Sequence, residues 1–450
     1  MRFNPLPIFI CAAGIFFMFK LRFFFILHPI NTVSKSIRAL KDKRALRSFS
    51  LALAGTLGVG NVFGVAFGII VGGAGSVFWL FISMIFAMII KYAEVVVTSD
   101  SLRHDRDAHG GMFFVIAESF KRYGRVLATV YAIGALGLSL FMGAALQCGA
   151  VTSAVEEILV IPRASVAILL VVIVFSSIVG GVKKIEKITV IVIPVTTIIY
   201  TFLALYIVFA NISALPGTIL NVLKSAFHPK SAIGGMLGFL LSPAFSEGFA
   251  RGILSNESGA GTSSIAHARN GVLNPSSSGL LGMLEVWFDT GFLCMLTAFS
   301  ILLTVPSGFD MGDGMTLVMY AVGSAFGTFG KICIMACVIS FAFATVICWY
   351  YYGMECWGFV FGKGTRLVFL PLFIIFVFVG CFLESQFIVF VVDALMAMIT
   401  VLCIAALIKN SDRIKALSER GGVIKCNVTR KYAGKIKGNV LRKAGKHPER

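Results

Sequence analysis

Long apolar runs recur along most of the 450 residues, and they constrain this chain more than any other feature. A helix needs about 20 mostly apolar residues to cross the hydrocarbon of a bilayer. Eleven such blocks can be drawn, at 6–27, 50–70, 75–98, 124–150, 164–182, 187–210, 232–253, 281–305, 330–352, 367–383 and 386–408. Composition agrees: 58% of residues are hydrophobic, 13% are charged, and mean hydropathy is +0.92. Soluble domains run at roughly 45–50% apolar and about 25% charged. A soluble enzyme and a disordered chain are therefore excluded. The expected fold is an all-α polytopic membrane protein, because backbone facing lipid must satisfy its own hydrogen bonds. The first block reads as a retained helix, spanning or lying in the interface, because Lys20 and Arg22 follow it and no small-x-small cleavage pattern is visible.

The net charge of +18 does not signal nucleic acid, because the cations lie in tails and loops between apolar blocks. Residues 409–450 hold 13 Lys/Arg and three acids. Placing that tail in the cytoplasm and alternating sides backwards puts 31 of 39 Lys/Arg in cytoplasmic segments or their flanks. Five fall outside: Arg2, Arg163, Lys224, Lys230 and Lys331. That asymmetry orients the chain. The tail from 410 onward reads as solvated and able to touch anionic headgroups. The ten Cys are scattered without a CxxC, and the six His form no HExxH or HxxxH pair, so neither a zinc site nor an intramembrane metalloenzyme is indicated.

Two blocks contain sequence that an ordinary spanning helix avoids. One is the run Gly55-Thr56-Leu57-Gly58-Val59-Gly60-Asn61; the other is Leu254-Ser255-Asn256-Glu257-Ser258-Gly259-Ala260-Gly261. Each pairs a G-x-G with small hydroxyl and amide residues. Glycine inside a helix costs about 1 kcal/mol against alanine. Unwound backbone is tolerated at membrane depth only inside protein or facing water. Freed N–H groups can hold a carboxylate and freed carbonyls a cation. The breaks lie about 200 residues apart. With the first block set aside, they open two sets of five helices, the pattern of a 5+5 inverted repeat with discontinuous first and sixth core helices. The expected organisation is an extra helix and basic loop over 1–49, repeats over 50–210 and 232–408, and the tail 409–450.

These stretches resemble the alanine/glycine:cation symporter family of the leucine-transporter fold superfamily. The resemblance rests on GTLGVGNVFG from Gly55 to Gly64, Gly72-Gly73-Ala74-Gly75, Phe78-Trp79, Lys91-Tyr92-Ala93-Glu94, Gly110-Gly111-Met112 and Gln147. It continues through Gly180-Gly181-Val182-Lys183, Arg251 to Glu257, Phe288-Asp289-Thr290, Phe341 to Thr345 and Trp349 to Gly353. It implies import of alanine or glycine coupled to Na⁺ or H⁺, with no other cofactor, by a multi-pass protein of a bacterial inner membrane. The implied substrate site is Thr56, Val59, Gly60, Gln147, Leu254, Ser255, Glu257, Thr345 and Trp349. The amides of Val59 and Gly60 would meet the carboxylate, and carbonyls around Leu254, Ser255 and Glu257 the ammonium. The implied cation ligands are Ala54, Leu57, Thr345 and Asn61. Ala344 stands where the family commonly has a hydroxyl, which removes one oxygen and points to weaker Na⁺ binding or to H⁺.

Ionisable residues inside apolar blocks need a reason, because intramembrane charge is costly. Lys91 with Glu94, and Glu247 with Arg251, are spaced to pair on one helix face. Glu247 has a second reading, as a proton carrier. Glu257 lies inside the second break, where it could bind substrate or cap the next half-helix. Asp289 and Asp393 are expected to partner other helices of the bundle. The rival functions are a channel or pore, which would need polar rings along a continuous path, or a non-catalytic membrane protein.

Overall fold

The computed structural model describes residues 6–101, 110–227, 242–268, 274–306 and 313–424. The described residues are helical, with no strand among them. The described part of each apolar block lies largely on helix. Among the described residues six helices are long and apolar enough to cross a membrane, or seven if one bent pair counts as a single span. They are α5 (Gly75–Ser101), α7 (Lys121–Glu156), α9 (Gly181–Ala210), α13 (Pro275–Thr304), α14 (Gly314–Phe361) and α16 (Ser385–Lys409), with the bent pair formed by Lys43–Thr56 (α3) and Val59–Gly72, whose α-helical part is Phe63–Gly72 (α4). The remaining blocks carry shorter helices: α1 (Leu6–Lys20), α8 (Arg163–Ile178), α11 (Pro243–Asn256) and α15 (Arg366–Gly380). Residues 232–241, which begin the seventh block, and the tail from 425 lie outside the described residues.

Local chemistry explains the ends of these helices. The Asp42 carboxylate caps α3, accepting from the N–H groups of Arg44 and Ala45. Ser242 caps α11, with Pro243 in its first turn. In α14, Gly327 adopts φ 61° and splits the long helix, leaving a spanning part that matches the 330–352 block. The connecting helices are α2 (Pro29–Ala39), α6 (Met112–Ser119), α10 (Leu215–Ala226), α12 (Ser264–Ala268) and α17 (Ser411–Arg420).

Helix α5 is the central pillar. It packs along α11 and α13 and touches α1. Close approach depends on small residues: a Cβ at Gly248 would collide with the backbone carbonyl of Ser76, and one at Gly252 with Ser83 Oγ. An ion group centred on the buried Arg251, with two half-buried carboxylates, ties the pillar's neighbours together. Arg251 pairs with Glu247 at 3.2 Å, as the spacing predicts, and with Asp393 of α16 at 2.5 Å. Asp393 is thus a bundle partner, and Glu247 is engaged in an ion pair.

Residues 411–424 differ from the expected solvated tail. Helix α17 packs on the core, with Ser411, Ile414 and Ser418 buried. Tyr92 donates to Ser418 Oγ at 2.8 Å, Lys20 pairs with Asp412 at 2.6 Å, and Arg413 pairs with Asp100 at 2.9 Å. The reason is amphipathicity: Ile414, Leu417 and Ser418 share one face, and the charges take the other.

Gly248→Ala is expected to destabilise the protein by about 1–3 kcal/mol, the cost of overpacking a closed contact. A lowered melting temperature of the detergent-solubilised protein would register it. Gly64→Ala, where an added Cβ would meet nothing within 4 Å, should melt like the unmodified protein.

Candidate functional site

The first break begins where α3 ends at Thr56. Leu57 and Gly58 leave helical geometry, a short 3₁₀ turn covers Val59–Asn61, and α4 departs at 57° to α3. The second begins where α11 ends at Asn256. Glu257 takes the left-handed conformation (φ 55°), uncommon for a residue with a side chain, and Gly259 and Gly261 follow at φ 87° and 74°. Both segments are buried throughout. They also meet: a Cβ placed on Gly60 would come within 3.7 Å of Ser255 Cα, the one contact within 4 Å from another part of the described chain.

Unwinding leaves polar backbone inside an apolar bundle, and the surrounding helices satisfy it. At the first break, Gln147 of α7 accepts from the Val59 N–H at 3.0 Å. Thr345 of α14 donates to the Ala54 carbonyl at 2.9 Å and lies 3.4 Å from that of Leu57. Trp349 donates its ring N–H to the Gly55 carbonyl at 3.2 Å. Gly58 is required here, because a Cβ would sit 2.8 Å from both Gln147 Oε1 and Thr345 Oγ1. Among the described residues nothing accepts from the Gly60 N–H, and an added Cβ would meet nothing within 4 Å at Gly64 but would be in ordinary contact with Ser255 Cα at Gly60.

Several expected site residues therefore converge. Val59, Gly60, Gln147 and Ser255 lie together, and the oxygens of Ala54, Leu57 and Thr345 form one group. Trp349 is a fully buried wall behind Gly55. Others are turned elsewhere. The Thr56 hydroxyl bonds back to the Ala52 and Leu53 carbonyls of its own helix. Asn61 faces Asp289 instead of the Ala54 group: its amide donates to the Asp289 carboxylate at 2.6 Å. Leu254 is buried in the last turn of α11. Glu257 accepts from the Thr262 hydroxyl at 2.6 Å and not from freed backbone N–H groups, so it does not cap the next half-helix.

Asp289 is the residue that reading the sequence left without a role at the breaks. Its carboxylate also accepts from Ser255 Oγ at 2.7 Å and Thr290 Oγ1 at 2.8 Å. It thereby bridges the two breaks. It sits in a π-helical stretch of α13, Trp287–Cys294, and a second π stretch, Ser139–Leu146, leads into Gln147. The extra residue in each widened turn re-aims the side chains that follow, a common device at functional sites. The Phe288-Asp289-Thr290 run marked this place in the sequence, but a lone intramembrane Asp does not name its partners.

The expected pair between Lys91 and Glu94 is replaced by separate partners. Lys91 donates to Ser263 Oγ at 2.7 Å and lies 3.8 Å from Glu285; Glu94 accepts from the Gly259 N–H at 2.6 Å. Both side chains reach into the second break, where unwound backbone and charge offer better partners than each other.

A helical membrane protein with two buried, mutually facing helix breaks defines a class: transporters that bind a solute between unwound segments. The whole chain then finds its place by comparison. Residues 2–419 match the sodium:alanine symporter family, and the chain belongs to that family. It is a membrane transporter of the sodium-coupled amino-acid symporter kind and not an enzyme. Relatives include an uncharacterised transporter of Haemophilus influenzae, 31% identical over 86% of this chain and 87% of that protein. The amino-acid carrier protein AlsT of Bacillus subtilis is 30% identical over 76% of this chain and 73% of its own length. The sodium/alanine symporter AgcS of Methanococcus maripaludis is 28% identical over 72% and 73%.

Replacing Asp289 by Ala removes the acceptor shared by Asn61, Ser255 and Thr290. A hydrogen bond to a charged group is worth about 1.5–3 kcal/mol, or about tenfold and more in affinity. Binding of labelled substrate to the purified Asp289→Ala protein should weaken by at least that factor while membrane insertion persists.

Proposed function

We propose that this chain imports a small neutral amino acid, alanine or glycine, together with Na⁺, by alternating access. The observation that carries the reading is the meeting of the breaks at Gly60 and Ser255, beside an amide that has no acceptor among the described residues. A zwitterion needs both ends matched. The Gly60 N–H at the start of α4 suits a carboxylate, with the positive end of that helix behind it. Carbonyls at the end of α11, around Leu254 and Ser255, suit the ammonium. Glu257 would add negative charge on that side. Gln147 and Trp349 are bulky, buried side chains against the first break, which supports a small substrate such as alanine or glycine over a larger one.

Na⁺ is cargo here, held by the carbonyls of Ala54 and Leu57 and the hydroxyl of Thr345, which lies 2.9 Å from the first carbonyl and 3.4 Å from the second. Coupling follows because ion and substrate both stabilise the same unwound backbone, so each raises the affinity for the other. Asn61 joins the ion group only by turning its unpartnered Oδ1 from its present place beside Asp289. Ala344 supplies no oxygen, so the ion is held by fewer ligands than a hydroxyl there would allow. We further propose eleven spanning helices in a 5+5 inverted repeat, with the carboxyl-terminal tail in the cytoplasm of a bacterium and α1 outside the repeat.

Uptake of labelled alanine and glycine into proteoliposomes under an inward Na⁺ gradient tests the reading. Gly60→Leu should fill the carboxylate site and abolish uptake with insertion intact; undiminished uptake would remove the site. Ala344→Ser should lower the Na⁺ concentration for half-maximal uptake by about tenfold, the gain expected for one added polar contact of about 1.4 kcal/mol. An unchanged Na⁺ dependence would take Ala344 out of the cation site.

A further inference from the structure

Away from the breaks, one helix is packed with its polar side inward. The chain leaves α1 through a tight bend in which Arg22 and Phe23 are both left-handed, at φ 59° and 50°, and then runs into α2. Thr32 and Ser36 are the buried residues of α2. Their hydroxyls donate to backbone carbonyls, Thr32 to His28 at 3.0 Å and Ser36 to Leu280 of α13 at 3.3 Å. Another face carries Ile30, Val33 and Ile37, whose i, i+3, i+7 spacing lines them up along the helix. They are 85%, 50% and 53% exposed. In water that distribution is inverted. A helix with a bare apolar stripe beside a charged flank suits the plane of a membrane interface, with the stripe among acyl chains.

Continuity and charge select what covers the stripe. It extends the exposed apolar surface of α1, which includes Ile15 and Phe19, through the exposed Ile26 and Leu27. Directly after it come Lys41, Lys43, Arg44 and Arg47, all exposed. Among the described residues none of these four is held in an ion pair. Asp42 is the one acid between residues 28 and 49, and its carboxylate is engaged in capping α3. An apolar stripe followed at once by cations fits an anionic phospholipid: acyl chains lie against the isoleucines, and the phosphate meets ammonium and guanidinium groups. A second copy of this chain, itself carrying a net charge of +18, would bring like charge to the same place.

We propose that the elbow between α2 and α3 is a binding site for an anionic phospholipid of the cytoplasmic leaflet, and that its occupancy supports transport. The link to transport lies in α3. That helix starts at Lys43, among the cations, and ends at Thr56, where the first break begins. A headgroup bound at Lys43 and Arg47 therefore steadies the near end of the helix whose last turn carries the Ala54 carbonyl. The lipid acts at a distance from the pocket, through a rigid element that both share. The inference rests on the transporter reading and on the cytoplasmic placement of this loop, and adds a lipid requirement to them.

The test uses the full chain in phosphatidylcholine vesicles containing increasing phosphatidylglycerol. One readout is initial uptake of labelled alanine. The other is crosslinking to phosphatidylglycerol with a photoreactive acyl chain, mapped by mass spectrometry against a matched phosphatidylcholine probe. A cation near an anionic headgroup is worth about fivefold in affinity. The phosphatidylglycerol probe should therefore label residues 26–47 at least about fivefold more than the phosphatidylcholine probe, and uptake should rise as phosphatidylglycerol is added. Lys43→Gln combined with Arg47→Gln should raise the phosphatidylglycerol fraction needed for half-maximal labelling and uptake by at least that factor. Lys43→Arg combined with Arg47→Lys keeps both charges and should match the unmodified protein. Equal labelling of 26–47 by the two probes would overturn the proposal. So would uptake indifferent to phosphatidylglycerol, or an unchanged requirement in the double Gln variant. Crosslinks between copies through α2 would give the stripe to a second copy and overturn it too. If the double Gln variant fails to insert, the labelling of the unmodified protein decides. Absence of uptake in every lipid mixture would instead overturn the transporter reading, and the labelling map would still decide the lipid site.

Discussion

Unwound backbone deep inside an apolar protein must find hydrogen-bond partners, and the rest of this structure is arranged around that requirement. Inside a bilayer no water stands ready to accept the freed N–H groups or donate to the freed carbonyls. Gln147, Thr345 and Trp349 serve the first break, and Glu94 and Tyr131 serve the second, where Tyr131 donates to the Ala260 carbonyl. These side chains come from α5, α7 and α14, so each break is tied to helices well outside its own span. A movement that opens the site to one side of the membrane must exchange these bonds for others, and substrate and ion are groups able to take their place.

The two breaks are satisfied by different chemistry. Around the first, the partners are an amide, a hydroxyl and an indole, all uncharged. Around the second stand an ammonium and carboxylates. Asp289 sits where the two environments meet, joined to Asn61 on one side and Ser255 on the other. Neutral partners hold geometry without strong dependence on protonation. Charged ones in a dry interior make conformation and ion content inseparable, because each buried charge needs its counterpart in every state the protein visits. The structure therefore concentrates ion sensitivity on the face of the second break turned towards α5 and α13.

How much of this could be read from the chain depended on the range of the interaction. The helix blocks, the Arg251–Glu247 pair and the positions of both breaks follow from local composition and spacing. The Ala54–Leu57–Thr345 group and Gln147 were reachable through family resemblance and are brought together as it implied. Asp289 at the breaks, Glu94 on the Gly259 amide and Asp393 on Arg251 were not legible. Asn61 and Asp289 are 228 positions apart, and Glu94 and Gly259 are 165 apart. Local rules misdirected the reading of Lys91 and Glu94, because i, i+3 spacing permits a pair that tertiary partners outcompeted.

By itself the sequence determined that the chain is a bundle of membrane helices, where its helices lie and which two of them cannot stay continuous. Those properties arise from apolar length, charge placement and glycine clustering, all of which act over a turn or two of helix. Only the tertiary structure decided that the breaks face each other, that Asp289 bridges them, and that Lys91 takes Glu285 as its ion partner while Glu94 holds the Gly259 amide. Packing chooses among partners hundreds of residues apart, and a buried charge accepts whichever counterpart the fold delivers.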